Sequence, residues 1–339
     1  MFQYQSLFRR NAEGQAGKVI GLTILAGIVM TVSFFAVMLI ALLPLFAIGE
    51  GTWAILYAFI VFFLLFLFGV FVIYPLSIGI IKFFTSAYQR SPYGFSDLFF
   101  VFKGGRYGKA VKLTILVIVA YLVINFAISM LMQLVLTAIN LPFSAALGGM
   151  SYEGLEASAA MVTGQIGLVI LMITLNLLVV FLMYIPFILL MIYMVLLYLV
   201  YVDQPHIPTF DKFSIAFKVM FQADQSLVKL FFSNILLMIG VTVLYIIGII
   251  AAALLGSLVL GATDSGILFA LILIAAGLAI FAVYIYVMYM MLGSVVAFYF
   301  EGRNELDARA AEAAASGSEG PAYDGRIGDD LKPLDDRNY

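Results

Sequence analysis

Residues 82–112 read KFFTSAYQRSPYGFSDLFFVFKGGRYGKAVK, and this stretch decides how the rest of the chain is arranged. Six of the protein's 17 Lys and Arg residues fall within it. Phe95, Leu98, Phe99 and Phe102 keep the i, i+3, i+4, i+7 spacing of one helical face. Bases around an aromatic face predict a short amphipathic helix lying on a membrane surface.

Outward from this stretch the chain turns apolar on both sides. Val19 to Ile48, Thr52 to Ile81, Leu113 to Leu147, Met161 to Val202, Leu230 to Ala262 and Ser265 to Phe300 contain no Asp, Glu, Lys, Arg or His. About 20 apolar residues cross a bilayer core as a helix, so each run is long enough to span. Hydrophobic residues make up 65% of the chain and charged residues 11%, against about 25% in soluble domains. The fold class is therefore all-α, a polytopic six-helix transmembrane bundle over residues 1–302. A cytoplasmic acidic tail follows over 303–339. The first run is too long for the roughly 7–15 apolar residues of a signal peptide and reads as an uncleaved span.

The bases set the orientation. Arg9, Arg10 and Lys18 precede the first span, six bases follow the second, and Lys212, Lys218 and Lys229 follow the fourth. Arg303, Arg309, Arg326, Lys332 and Arg337 follow the sixth, which accounts for all 17. The remaining connections carry only Glu50, Glu153, Glu156 and Asp264. By the positive-inside rule both termini and the two basic connections are cytoplasmic. Pro186 lies inside the fourth run. Splitting that run in two would move later bases outside, so one helix is expected there, kinked where the proline lacks a donor.

The basic stretch recurs in weaker form over Asp203 to Lys229. Pro75, Pro92, Lys103 and Leu113 correspond to Pro186, Pro205, Lys218 and Leu230, which suggests a parallel internal repeat. In the second copy Phe210, Phe213, Phe217, Met220 and Phe221 make an apolar face. Thr209 and Asp224 are expected N-caps, and Gly104 with Gly105 are expected to end the first interfacial helix. In the tail, Asn304 to Ala315 favours helix, and Ser316 to Tyr339 is expected to be disordered.

Candidate sites are few. Lys103, Arg106, Lys109, Lys112, Lys218 and Lys229 are candidates for lipid headgroups, because bases beside a membrane attract anionic lipid. Asn125, Ser129, Gln133, Thr137 and Asn140 share one arc of the third span, and Asn176 lies on the fourth. They form either a polar cleft for a substrate or a set of interhelical hydrogen bonds. Gly248, Ala252 and Gly256, and Gly17 with Gly21, are small-residue spacings suited to close helix packing. His206, with Asp203 and Asp211 nearby, lacks any nucleophile motif around it. The chain has no Cys and one His, which excludes thiolate chemistry and a multi-histidine metal site. No catalytic residue, metal ligand or cofactor is expected, and no basic footprint for nucleic acid is present.

Tyr74-Pro75, Phe95 to Arg106 (FSDLFFVFKGGR), Pro186 and Phe210 to Lys218 resemble a bacterial family of uncharacterised six-span integral membrane proteins. More distantly they resemble the membrane domain attached to some glycerophosphodiester phosphodiesterases. The resemblance implies an integral fold in a bacterial plasma (inner) membrane. It supplies no catalytic residue, and no phosphodiesterase domain accompanies it. The expected function is that of a non-enzymatic scaffold or lipid-interacting protein. The alternative is a transporter or channel for a neutral or lipid-like substrate. Membrane lipids are the expected partners, with a homo-oligomer or a cytoplasmic partner of the tail left open.

Overall fold

The computed structural model describes residues 2–48, 51–148, 159–263 and 265–315. Most of the connection expected over 148–164, the segment 316–339, and Glu50, Glu153, Glu156 and Asp264 lie outside them. Among the described residues the chain is helical throughout. Its elements are α1 (Gln3–Asn11), α2 (Ala16–Leu42), the single turn α3 (Leu45–Ile48), α4 (Thr52–Phe68) and a π-helical turn (Gly69–Ile73). There follow α5 (Tyr74–Tyr88), a 3-10 helix (Phe95–Phe102), α6 (Tyr107–Gly148) and α7 (Ala159–Asp203). The last three are α8 (Thr209–Phe221), α9 (Leu227–Thr263) and α10 (Gly266–Ala315).

Six helices are long and apolar enough to cross a membrane: Ala16–Ile48, Thr52–Tyr88, Tyr107–Ser144, Ile166–Asp203, Leu227–Ala262 and Gly266–Glu312. By length and composition this is a multi-pass membrane protein. α7 is one continuous helix through Pro186. α10 runs without a break from the last span into Ala315, so the helix expected from Asn304 is its final stretch. At 1.5 Å per residue the 42 residues of α6 reach about 63 Å, and a hydrocarbon core is about 30 Å thick. These helices therefore extend well beyond the bilayer core.

Most of the buried residues lie near the basic ends of the helices, with Ala26, Val61, Val70, Val241 and Ala252 as exceptions along the spans. Leu196 to Val202 on α7, Ser294 to Phe300 on α10, and Ala110, Leu113 and Val117 on α6 are among those near the ends. In the most apolar window of each span, at most 11% of residues are buried. Those side chains therefore have little protein cover among the described residues.

The chain divides into two compact units. The first comprises Met1–Ile20, Ala87–Ser91 and Phe213–Tyr339. Its frame is the hairpin of α9 and α10, on which α1 is docked. A Cβ on Gly248 would stand 2.9 Å from Ile280 Cδ1, and one on Gly256 would stand 2.6 Å from Phe269 Cδ2. The small-residue spacing on α9 is thus a packing surface for α10. Gly17 and Gly21, read in the same way, have nothing within 4 Å of an added Cβ among the described residues.

α1 is amphipathic, with Tyr4, Gln5 and Phe8 turned inward. Tyr4 meets Phe298 edge-on at 5.3 Å, and Phe8 meets Tyr289 at 5.3 Å. A Cβ on Gly293 would overlap the Phe8 ring, so α10 is notched where Phe8 enters. The Gln5 amide donates to Ser233 Oγ and Asn234 Oδ1, each at 2.9 Å, and the Ser294 hydroxyl donates to the same Asn234 oxygen at 3.1 Å. Arg90, with φ of 54°, donates to the carbonyls of Asn11 and Arg10 at the end of α1. A non-glycine residue in the left-handed region costs roughly 1 kcal/mol or more. Here it brings a guanidinium onto a helix C-terminus, where a cation is favoured.

Asp224 does not cap α9. Ser226 Oγ accepts the Lys229 N–H at 3.1 Å and takes that role. Asp224 instead pairs with Arg309, which also engages Glu305 and the Gln222 carbonyl.

The second unit comprises Gly21–Ser86 and Pro92–Lys212. Here α6 packs along α7. The segment expected as an amphipathic α-helix is a 3-10 helix over Phe95–Phe102, opened by the Asp97 carboxylate accepting the Gly94 N–H at 2.8 Å. With three residues per turn the facing positions change. Leu98, Phe100 and Val101 are buried, while Phe99 and Phe102 are exposed. The backbone of Leu98 lies directly on α5 at Gly79, where any Cβ would overlap it. Gly104 and Gly105 follow with φ of +63° and +67° and turn the chain into α6, as their sequence suggests.

α8 departs from expectation in a similar way. Its buried positions are Thr209, Lys212, Ala216, Val219 and Met220, and Phe210, Phe217 and Phe221 face outward. Thr209 is the first helical residue rather than a cap before it. The two segments compared as repeats thus differ in helix type and length.

Candidate functional site

In the second unit the bases around the 3-10 helix converge on two aromatic rings. The Arg106 guanidinium carbon lies 4.5 Å from the Phe100 centroid, and the Lys82 ammonium lies 5.6 Å from it. Tyr201, at the end of α7, meets Phe100 edge-on at 6.4 Å, and its hydroxyl donates to the Arg106 carbonyl at 3.0 Å. Lys212 lies 5.6 Å from the Tyr201 centroid and donates to the Ile207 carbonyl. The Lys109 ammonium donates to the His206 carbonyl at 3.2 Å, and Lys112 lies 5.9 Å from the Phe210 ring. Aromatic faces attract cations through their quadrupole. That attraction holds four of the bases, Lys82, Arg106, Lys112 and Lys212, and the His206 carbonyl holds Lys109.

Two carboxylates act on these bases electrostatically, Asp97 on Lys82 and Asp211 on Lys212. Among the described residues no salt bridge engages Lys82, Arg106, Lys109, Lys112 or Lys212. Lys212 is 1% exposed. Burial pushes its amine down to about 8, with the charge of Lys109 acting in the same direction and Asp211 opposing it. Burial disfavours an ammonium unless an anion compensates it. The arrangement can therefore take an anion, with Arg106 able to offer a planar fork to a phosphate or carboxylate.

Of the bases singled out from sequence, Arg106, Lys109 and Lys112 belong to this cluster. Lys103 is exposed beside it in the chain. Lys218 and Lys229 belong to the first unit. Lys82, Lys212 and the two rings were not singled out. Their signal is the alternation of bases with aromatics at the ends of the second and fourth spans. His206 is exposed, and its carbonyl, rather than its ring, is what Lys109 engages.

The polar arc of α6 is only partly brought to α7. Asn140 and Asn176 exchange two amide hydrogen bonds, at 3.0 and 2.8 Å. The residue facing Asn176 is thus Asn140, about 22 Å along α6 from Asn125. Asn125 donates to the Tyr121 hydroxyl at 3.2 Å and accepts from Ser129 at 3.3 Å, all within one helix. A shallow groove of about 510 Å³ runs past Ser129, Gln133, Thr137 and Asn140. Among the described residues no group of three or more His, Asp or Glu side chains is placed to hold a metal ion.

No family model, no curated protein and no solved structure matches the chain.

Proposed function

We propose that this is a non-enzymatic integral membrane protein of a bacterial plasma membrane, with both termini cytoplasmic, that binds phosphate-bearing lipid headgroups at its basic face. The observation that carries the reading is the set of four bases on the Phe100, Tyr201 and Phe210 rings, with Lys109 on the His206 carbonyl and, among the described residues, no carboxylate in salt-bridge contact with them. Each base near an anionic surface contributes about 1 kcal/mol to lipid attraction. The outward aromatics Phe99, Phe102, Phe210, Phe217 and Phe221 suit burial among headgroups and upper acyl chains. On this reading the 3-10 helix and α8 are two interfacial anchors, descended from a duplicated unit. Self-association, or recruitment of a cytoplasmic partner by the tail, would make the protein a scaffold.

The test uses the full chain in detergent, with lipid retention read by native mass spectrometry. Replacing Lys103, Arg106, Lys109 and Lys112 together with Gln should lower retention of phosphatidylglycerol at least ten-fold and remove its salt dependence. Unchanged retention in a folded variant would sink the headgroup reading.

A second reading has the groove beside Ser129 and Asn140 as part of a path for a neutral or lipid-like solute. Solute flux into proteoliposomes that is abolished by Gln133→Leu would favour it. Flux equal to that of empty vesicles would remove it.

A further inference from the structure

The first unit holds a cavity of about 950 Å³ between α1, the turn that follows it, and α10. Its wall includes Arg9, Arg10, Glu13 and Glu301, with Leu7 and Tyr286 supplying apolar surface. Among the described residues none of these four charged side chains is in a salt bridge. Two guanidinium groups and two carboxylates thus line one pocket with no ion pair between them among the described residues. A ligand carrying both signs of charge can satisfy both sets, which a purely anionic ligand cannot do.

The volume is at the upper end of the 300–1,000 Å³ usual for small-molecule sites. The pocket is open and its four charged side chains are exposed, while its α1 wall is fixed. Gln5 is bonded to Ser233 and Asn234, Phe8 fills the notch at Gly293, and Arg90 holds the end of α1. Tyr289, 4% exposed, joins Phe8 to the chamber lining.

We propose that this chamber binds a zwitterionic phosphate–amine, the phosphoethanolamine group, carried on a lipid. Arg9 and Arg10 receive the phosphate, and Glu13 and Glu301 receive the ammonium. Leu7 and the Tyr286 ring line the exit of the glycerol and acyl part. A primary ammonium donates three hydrogen bonds to carboxylates, whereas a trimethylated amine donates none. The site therefore prefers ethanolamine to choline. It lies in the first unit and does not use the Phe100 cluster.

The experiment measures binding of dihexanoyl-phosphatidylethanolamine, the phosphatidylcholine and phosphatidylglycerol analogues, and free phosphoethanolamine to the full chain in detergent. The ethanolamine lipid should bind about ten-fold more tightly than the choline lipid. Arg10→Gln and Glu301→Gln should each erase that preference at an unchanged unfolding temperature, and Glu13→Gln serves as a second carboxylate variant. The four-fold Gln variant at Lys103, Arg106, Lys109 and Lys112 should leave it intact, so this site and the headgroup cluster fail separately. Free phosphoethanolamine binding as tightly as the lipid would overturn the lipid source. Equal affinity for the ethanolamine and choline lipids, or a preference that survives both Glu301→Gln and Arg10→Gln, would overturn the site.

Discussion

The hydroxyl of Tyr107 donates a hydrogen bond to the carbonyl of Phe71 at 2.9 Å, four residues before Pro75. Proline has no N–H, so the carbonyl one turn before it loses its helical donor. Here the loss coincides with the π-helical turn Gly69–Ile73, and the first turn of α6 supplies the replacement. An unpaired buried carbonyl costs about 1–3 kcal/mol. Tyr107→Phe should therefore destabilise the protein by about 1–2 kcal/mol in chemical unfolding followed by circular dichroism. Pro75→Ala should recover part of that loss in the Tyr107→Phe background, because it returns a backbone donor. No recovery would mean that the carbonyl finds another partner.

The contact of Gly79 with the backbone of Leu98 gives a second test. A methyl group at residue 79 meets main chain rather than a flexible side chain, so the 3-10 helix must move away. Overpacking of this kind costs about 1–3 kcal/mol. Gly79→Ala should loosen the segment that carries Lys103 and Arg106, and limited trypsin digestion should cut there several-fold faster than in the parent protein. Equal cleavage rates would show that the segment is held by other contacts.

Asn140 and Asn176 form a pair whose members depend on each other. Asn140→Leu leaves the Asn176 amide without its cross-helix partner, and the reverse substitution does the same. Interhelical hydrogen bonds in membranes average about 0.6 kcal/mol, so two of them predict a coupling of about 1 kcal/mol. A double-mutant cycle on unfolding free energy measures it, and the double Leu variant should be more stable than the sum of the single losses implies.

Lys212 makes stability depend on pH in a direction that can be worked out. Its amine is held down to about 8 in the folded protein and titrates near 10.4 when unfolded. Between these values the unfolded chain binds more protons, so stability rises with pH across that window. Below pH 8 both states are charged and the cost of burying the ammonium is fully present. Lys212→Met removes this contribution. The gap in unfolding temperature between Met variant and parent should therefore be largest near pH 7 and shrink towards pH 10. A gap independent of pH would mean that Lys212 stays charged throughout.

The spans were readable from sequence because charge is excluded from hydrocarbon, and each of the six runs carries that exclusion over 30 residues or more. The orientation of the loop faces was not. Phe95, Leu98, Phe99 and Phe102 share a face only at 3.6 residues per turn, and the backbone of Leu98 meets Gly79 in a 3-10 helix instead. Asp224 and Ser226 are both good capping residues, two positions apart. The choice between them was made by Arg309, distant in sequence. At the N-terminus the three bases read as a topology signal, which obscured the i, i+4 pair Tyr4 and Phe8 that docks α1. Lys212 looked like one more solvated base on an amphipathic helix, and nothing local marks it as lying against Tyr201. Periodicity and charge counts report the solvent each helix faces. They do not report which partner holds its ends.

The scarcity of protein neighbours in the apolar windows bears on how this chain can diverge. A Leu that touches mainly lipid can become Ile, Val or Phe at little cost, so those windows are constrained in composition and hardly in order. Kinship with other membrane proteins should therefore be written at a few positions near the basic ends: Gln5, Gly79, Tyr107, Lys212, Asn234 and Gly293. Two such chains could keep those residues and this architecture while their spans drift past recognition.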